Sequence, residues 1–221
     1  MALTRFPDPR YTETYEGILA VGGDLTPESL LEAYQHGIFP WPIDGYPLTW
    51  FCPDERAILD FADLHIPRSL IKAQKRSQFR FTIDQDFTAV IRNCANAIRE
   101  GQDGTWITPQ MFRAYCEFHK RGYVHSVEAW EGNLLVGGVY GVDADGTFTG
   151  ESMFHLRPYA SKLALLFLID HLQARGLDWI DIQVMSPHME TLGAKTIDRG
   201  QFLDKLAATR ARGLNLFRDP V

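Results

Sequence analysis

Between Tyr123 and Met153, three strand-like runs follow one another through two short turns, and this stretch limits the fold more than any other. Tyr123–Trp130, Leu134–Val142 and Thr147–Met153 are rich in β-branched and aromatic residues, while Glu131-Gly132-Asn133 and Asp143-Ala144-Asp145-Gly146 are turn sequences. An antiparallel meander is predicted here, with helical patterns on both sides of it in the chain. Ahead of it come a helix from Pro67, a short strand Phe79–Ile83, and a helix carrying Phe87, Val90, Ile91, Cys94 and Ile98. A further helix opens at Thr108-Pro109, carries Met111, Phe112 and Tyr115, and ends at Gly122. After the meander come a long apolar helix over Ser161 to Arg175, closed by Gly176, and a strand Trp179–Val184. A short helix near His188–Leu192, a brief strand and a last helix near Gln201–Arg212 complete the pattern. This order predicts an α+β domain over residues 61–221, with a mixed sheet flanked by helices.

Residues 1–60 differ in character. They are rich in Pro, Gly and aromatics and show one clear helix, with Thr26 as N-cap, Pro27 at the first helical position and Gly37 as the stop. Ile38-Phe39-Pro40-Trp41-Pro42 and Trp50-Phe51-Cys52-Pro53 read as irregular, and the whole as a small N-terminal α/β lobe. Charge divides along the same lines. Residues 1–60 hold three basic and ten acidic side chains, residues 61–81 five basic and one acidic, in a chain of net charge −6. A sheath of phosphate contacts is excluded, but a confined polyanion contact is not. No apolar run approaches the roughly 20 residues of a membrane helix, and Met1 to Arg10 lacks a signal peptide's apolar stretch, so a cytosolic protein is expected. Three scattered cysteines and seven histidines without ligand spacing give no disulfide framework and no metal site.

Six blocks carry a resemblance. They are Gly22-Gly23-Asp24-Leu25, Ala33-Tyr34-Gln35-His36-Gly37-Ile38-Phe39-Pro40-Trp41, Gly104-Thr105-Trp106-Ile107-Thr108, Gly150-Glu151-Ser152-Met153-Phe154, Ala160-Ser161-Lys162 and Asp181-Ile182-Gln183-Val184. In this order, across nearly the whole chain, they closely resemble the bacterial leucyl/phenylalanyl-tRNA–protein transferase family. The resemblance implies a C-terminal domain related to the GNAT acyltransferases and a small N-terminal domain. It also implies a reaction: Leu or Phe passes from aminoacyl-tRNA to the α-amine of a protein beginning with Lys or Arg, marking that protein for degradation. No cofactor, metal or ATP is implied. The physical reason is that the aminoacyl ester is already activated. The acceptor α-amine, with a reference pKa of about 7.7–8.0, is partly free base at neutral pH. Positioning and oxyanion stabilisation can supply the acceleration.

The resemblance assigns Glu151, Asp181 and Gln183 to orienting the amine and the ester. Asp181 and Gln183 lie two apart on a strand and point to one face; Glu151 shares a predicted face with Thr149 and Met153. A buried polar network that only fixes the sheet is the alternative. Met153, Leu168 and Leu172 are candidates for an apolar side-chain pocket, against ordinary core packing; relatives often carry larger residues where this chain has Val139, Leu168 and Leu172. Trp41, Trp106 and Tyr115 resemble aromatics that surround the aminoacyl-adenosine end, against a simple domain interface. Arg68, Lys72, Lys75 and Arg76 fall on one helix stripe suited to the tRNA backbone, with Leu70 and Ile71 turned away, against a merely solvated face.

Rival classes fit less well. A CoA-dependent acyltransferase needs a glycine-bearing pyrophosphate loop, whereas Arg157-Pro158-Tyr159-Ala160-Ser161-Lys162 lacks the glycines and loses a donor at Pro158. Gly137-Gly138-x-x-Gly141 is not a dinucleotide fingerprint and reads as close strand packing. A noncatalytic RNA- or peptide-binding module has no need of Glu151, Asp181 and Gln183 together. Peptidoglycan-type aminoacyl transferases also use charged tRNA, but their two GNAT-like repeats need a longer chain.

Overall fold

Thr26 starts the first helix as its sequence predicts, accepting the Ser29 N–H at 3.3 Å. Asp24 accepts in turn from the hydroxyls of Ser29 and Thr26 and the Thr26 N–H, which together hold its carboxyl down at about 2. The computed structural model describes residues 5–97 and 105–217; Ile98 and Gly104 lie outside them. The helix α1 (Pro27–Gln35) belongs to a lobe with β1 (Ile18–Val21), β2 (Phe39–Pro40) and β3 (Thr49–Phe51), paired antiparallel in the order β1-β3-β2. The aromatic stretch after α1, irregular by its sequence, therefore contains two strands. They are too short to show alternation, and Pro40 sits in the edge strand, where a missing N–H is tolerated.

The chain then runs through β4 (Glu55–Asp60), α2 (Arg68–Arg76), β5 (Arg80–Ile83), α3 (Phe87–Asn96) and α4 (Pro109–Lys120). The meander follows as β6 (Val124–Glu131), β7 (Leu134–Asp143) and β8 (Phe148–His155), then α5 (Ala160–Ala174), β9 (Trp179–Gln183), α6 (Pro187–Thr191), β10 (Lys195–Asp198) and α7 (Arg199–Arg210). The seven-stranded sheet has the order β10-β4-β9-β8-β7-β6-β5. Among the described residues only β8 and β9 run parallel, so the sheet is mixed, and the fold is α+β. Glu55–Asp60, on the lobe side of a boundary at residue 60, is an interior strand of this sheet.

Helices cover both faces. One core cluster joins α5, α7 and Leu70 of α2 to the sheet; the other joins the lobe to α3, α4 and the opposite sheet face through Tyr34, Phe39, Trp50, Tyr115 and Tyr140. The long helix α5 is buried nearly all round, which removes any polar stripe from its sequence. Gly137 lets α5 approach: a Cβ there would stand 2.5 Å from the Ala160 Cβ, so the glycines of β7 do mark close packing. No helix among the described residues is long and apolar enough to cross a membrane.

Gly37 joins lobe and sheet. Its φ is +75°, and a Cβ there would lie 2.5 Å from the Phe202 ring of α7. Gly37→Ala combines left-handed strain with this clash, and we expect a loss of about 1–3 kcal/mol in urea denaturation. An unchanged midpoint would mean that Phe202 yields without cost.

Candidate active site

β8 and β9 pair at a single position, Thr149 with Asp181, and then part. A bulge in each strand accounts for the separation. Opposite Tyr140 and Gly141, β8 carries Glu151 as an extra residue; opposite Ala57 and Ile58, β9 carries Ile182. Bulges bend their strands. Gln183 then ends β9 at φ +63°, a conformation that a residue with a side chain keeps only when its surroundings hold it.

A pocket of ≈ 340 Å³ opens between the parted strands. Val139, Phe148, Met153, Leu168 and Ile180 are among its apolar walls, Glu151 and Gln183 supply polar groups, and Trp41 and Trp106 also line it. The two tryptophan rings are nearly parallel (14°), with centroids 6.1 Å apart. The bulge also separates Glu151 from Met153, which strict alternation puts on one face. Glu151 turns to tyrosines of the lobe-side core, and Met153 packs against the α5 core.

Glu151 is the electrostatic centre of the pocket. Its Oε1 accepts from the Tyr34 hydroxyl (2.7 Å) and Gln183 Nε2 (2.8 Å), and its Oε2 from the Tyr115 hydroxyl (3.2 Å). The two phenol oxygens also touch each other. Enclosure by protein atoms pushes the Glu151 carboxyl up to about 7, against the pull of the tyrosine hydrogen bonds, with the Asp181 charge adding to the rise. Burial and the Glu151 charge push both tyrosines well above their usual range, so they stay protonated donors.

Asp181 sits behind Gln183, only 2% exposed and outside the pocket wall. Arg56 holds it with two bonds, Nε to Oδ1 (2.8 Å) and Nη2 to Oδ2 (2.6 Å). The Thr149 hydroxyl (3.0 Å) and the Gln183 backbone N–H (2.9 Å) donate to the same carboxylate. Arg56 itself lies between the rings of Phe39 and Phe202 and donates to the Gly37 carbonyl (2.9 Å).

The structure thus brings Glu151, Gln183, Trp41, Trp106, Met153 and Leu168 to one cavity. Tyr115, fully buried, does not line it and touches it through Glu151 and, edge-on, through Trp106. Leu172, one turn beyond Leu168, packs in the core away from the wall, since the inner end of α5 is covered by the sheet. Arg68, Lys72, Lys75 and Arg76 are all exposed on α2, while Leu70 is buried and Ile71 is 37% exposed, so only Leu70 anchors that helix. Tyr34 and Arg56 have no part in the sequence-based site. Tyr34 stands there only inside the block Ala33–Trp41, with no role of its own; Arg56, one of three basic residues in an acidic segment and leading the apolar run Ala57-Ile58-Leu59, is the signal that the sequence offers.

Comparison with known proteins places these features in company. Residues 23–54 match the model described as "Leucyl/phenylalanyl-tRNA protein transferase N-terminal domain", and residues 58–207 that described as "Leucyl/phenylalanyl-tRNA protein transferase". The leucyl/phenylalanyl-tRNA–protein transferase of Anaeromyxobacter dehalogenans (strain 2CP-C) is 48% identical over 202 residues, 91% of this chain and 86% of its own. That of Shewanella denitrificans is 51% identical over 191 residues, 86% of this chain and 81% of its own. Among solved structures, L-PGS from Bacillus licheniformis aligns with a TM-score of 0.39 and 14% identity, over 72% of this chain and 51% of its own.

Breaking a buried ion pair from one side strands a charge, at about 3–5 kcal/mol. We expect Arg56→Met to lose stability on that scale in urea titrations, and Asp181→Leu added to it to restore part of the loss. Strictly additive losses would show that the two charges are not coupled.

Proposed function

This chain belongs to the leucyl/phenylalanyl-tRNA–protein transferase family, and on that premise we propose how its cleft performs the transfer. The family's reaction makes it a tRNA-dependent aminoacyltransferase, moving Leu or Phe from charged tRNA to a protein N-terminus. The observation that carries the assignment of the site is the pocket between the parted strands, apolar in its body and polar at Glu151 and Gln183. The Leu or Phe side chain enters the apolar part, where Met153 and Leu168 contribute to shape discrimination; a methylene there is worth about 1–3 kcal/mol. The terminal adenosine lies against Trp41 and Trp106. The single parallel pair that then splays supports a GNAT-like identity for the C-terminal domain.

In the transfer, the acceptor α-amine attacks the ester carbonyl, the C–N bond forms, the C–O bond to the terminal ribose breaks, and one proton leaves the nitrogen. Glu151 receives that proton, because its carboxyl titrates near the working pH and borders the pocket. The departing ribose oxygen must gain a proton, and protonated Glu151 can return it. Gln183 donates one N–H to Glu151, leaving the second for the developing oxyanion and its carbonyl for the amine. Asp181 is a positioning residue: fully engaged by Arg56, Thr149 and the Gln183 N–H, it holds the left-handed turn that aims Gln183. The exposed cations of α2 take the tRNA backbone. The acceptor begins with Lys or Arg, the transfer marks it for degradation, and the enzyme works in the cytosol on residues 61–221 with the lobe of residues 1–60 closing the site.

Incubation with radiolabelled Leu-tRNA and a peptide beginning with Arg should yield Leu-Arg-peptide; no labelled peptide would reject the reading. Because burial raises the Glu151 pKa, its active carboxylate disappears as pH falls through about 7. We expect single-turnover rates to show one limb that follows the acceptor's own amine pKa and a second, fixed near pH 7, that Glu151→Gln abolishes. The same raised value gives a stabilising contribution that is full below the unfolded carboxyl pKa of about 4.3 and fades as pH rises toward 7. A fixed limb that survives Glu151→Gln would remove Glu151 from the proton transfer.

Alanine at Arg68, Lys72, Lys75 and Arg76 together should weaken use of charged tRNA and flatten its salt dependence, as lost phosphate contacts release fewer counterions. Turnover of aminoacyl-adenosine should stay near wild type. Equal losses on both substrates would make α2 a folding element only.

A further inference from the structure

The seam opened between β8 and β9 does not end at the pocket. A second cavity, of ≈ 700 Å³, continues it past Met153 along β8 to Leu156, bounded by the end of α3, the start of α5 and α6. Met153, Ser186 and Met189 line both cavities, so the two share a wall. Beyond that shared wall, the transfer as proposed uses no residue of the second cavity.

Its polar groups have a definite character. Asn93 and Asn96 come from α3, Lys162 from α5, and His188 from α6, and no acidic side chain lines it among the described residues. Both ring nitrogens of His188 are shut off from water and lack a hydrogen-bond partner. Burial, and then the charge of Lys162, push the His188 imidazole down to about 4, so it is neutral at working pH and offers one donor and one acceptor. Such a wall suits an occupant with a negative charge and a hydrogen-bonding edge. An acceptor's N-terminal Lys or Arg would bring a second positive charge against Lys162. The 3′ strand of tRNA brings one phosphate per nucleotide, and the nucleotide next to the terminal adenosine is the nearest of them to the aminoacyl pocket, whose wall this cavity shares at Met153, Ser186 and Met189.

We propose that this cavity binds the penultimate nucleotide of the charged tRNA, a cytidine in every tRNA, with Lys162 at its phosphate and Asn93 at its base. Cytosine presents an amino donor beside ring and carbonyl acceptors, which side-chain amides can match. Lys162 belongs to the block Ala160-Ser161-Lys162, where a CoA enzyme would have its pyrophosphate loop; here a single phosphate on a lysine takes that place. The inference rests on the neighbouring pocket being the aminoacyl site.

Three minimal substrates test it: aminoacyl-adenosine, the aminoacyl dinucleotide CpA, and the same dinucleotide with the cytosine removed. In the wild type, kcat/KM should rise by about tenfold from adenosine to CpA, the change one charge-assisted contact can produce. Lys162→Ala should lose most of that gain and leave aminoacyl-adenosine unchanged, and Lys162→Arg should keep it. Asn93→Ala should lower kcat/KM for CpA but not for the abasic form. Melting temperatures of the variants separate these effects from misfolding, since a misfolded protein loses aminoacyl-adenosine turnover too. No gain from the second nucleotide in the wild type, or equal losses on adenosine and CpA in folded Lys162→Ala, overturns the proposal while leaving the aminoacyl pocket standing. A rise in acceptor-peptide KM as the main effect of Lys162→Ala would give the cavity to the peptide and also overturn it. Wild-type protein inert toward aminoacyl-adenosine and charged tRNA alike would overturn both readings.

Discussion

The ion pair between Arg56 and Asp181 holds the molecule to one arrangement. Both side chains are almost fully buried, and each needs the other to exist as a charge in that position. Through this pair four distant parts of the chain meet. Arg56 belongs to β4 and Asp181 to β9, while Arg56 also grips the Gly37 carbonyl and lies between Phe39 of the lobe and Phe202 of α7. A buried ion pair adds little net stability compared with well-packed apolar residues, but it penalises every arrangement that separates its partners. Here the penalised arrangements include any in which the lobe shifts on the sheet or the end of β9 straightens.

That rigidity reaches the pocket through Gln183. Its backbone N–H is tied to Asp181, its φ is forced to the left-handed region, and its side chain is thereby presented to Glu151. The site has two carboxyl groups in contrasting surroundings, a common way for one fold to give two acids two tasks. Asp181 accepts from a guanidinium, a hydroxyl and a backbone amide, and so has no room for a substrate. Among the described residues Glu151 accepts only from neutral groups, and it borders the cavity. Tyr34 and Tyr115 fix its direction without neutralising it.

The sequence shows those parts of this design that rest on local signals. Thr26, Thr108 and the turn at Gly132 mark element ends, and all three lie where such residues work in the structure. The meander and the sheet-flanking helices follow from them. The extra residues Glu151 and Ile182 leave no such mark, because a bulge is defined by the partner strand, not by its own residues. Strict alternation therefore put Glu151 and Met153 on one face, which the structure does not. Arg56 could be noticed but not placed, since its partner is 125 residues away. On α5 the apolar residues run round the whole helix, so periodicity could not tell Leu168, at the pocket, from Leu172, beneath the sheet. The four cations of α2 were legible as a stripe because exposed charge at helical spacing needs no tertiary information.

The central claim is that Glu151 is the carboxyl that exchanges a proton in the transfer. Carbon NMR on protein labelled at the glutamate side-chain carboxyls reads this directly. One resonance should titrate at about 7, disappear in Glu151→Gln, and move when Tyr34→Phe removes a donor. If every glutamate resonance titrates within the ordinary range, near about 4.3, the account of the site is wrong.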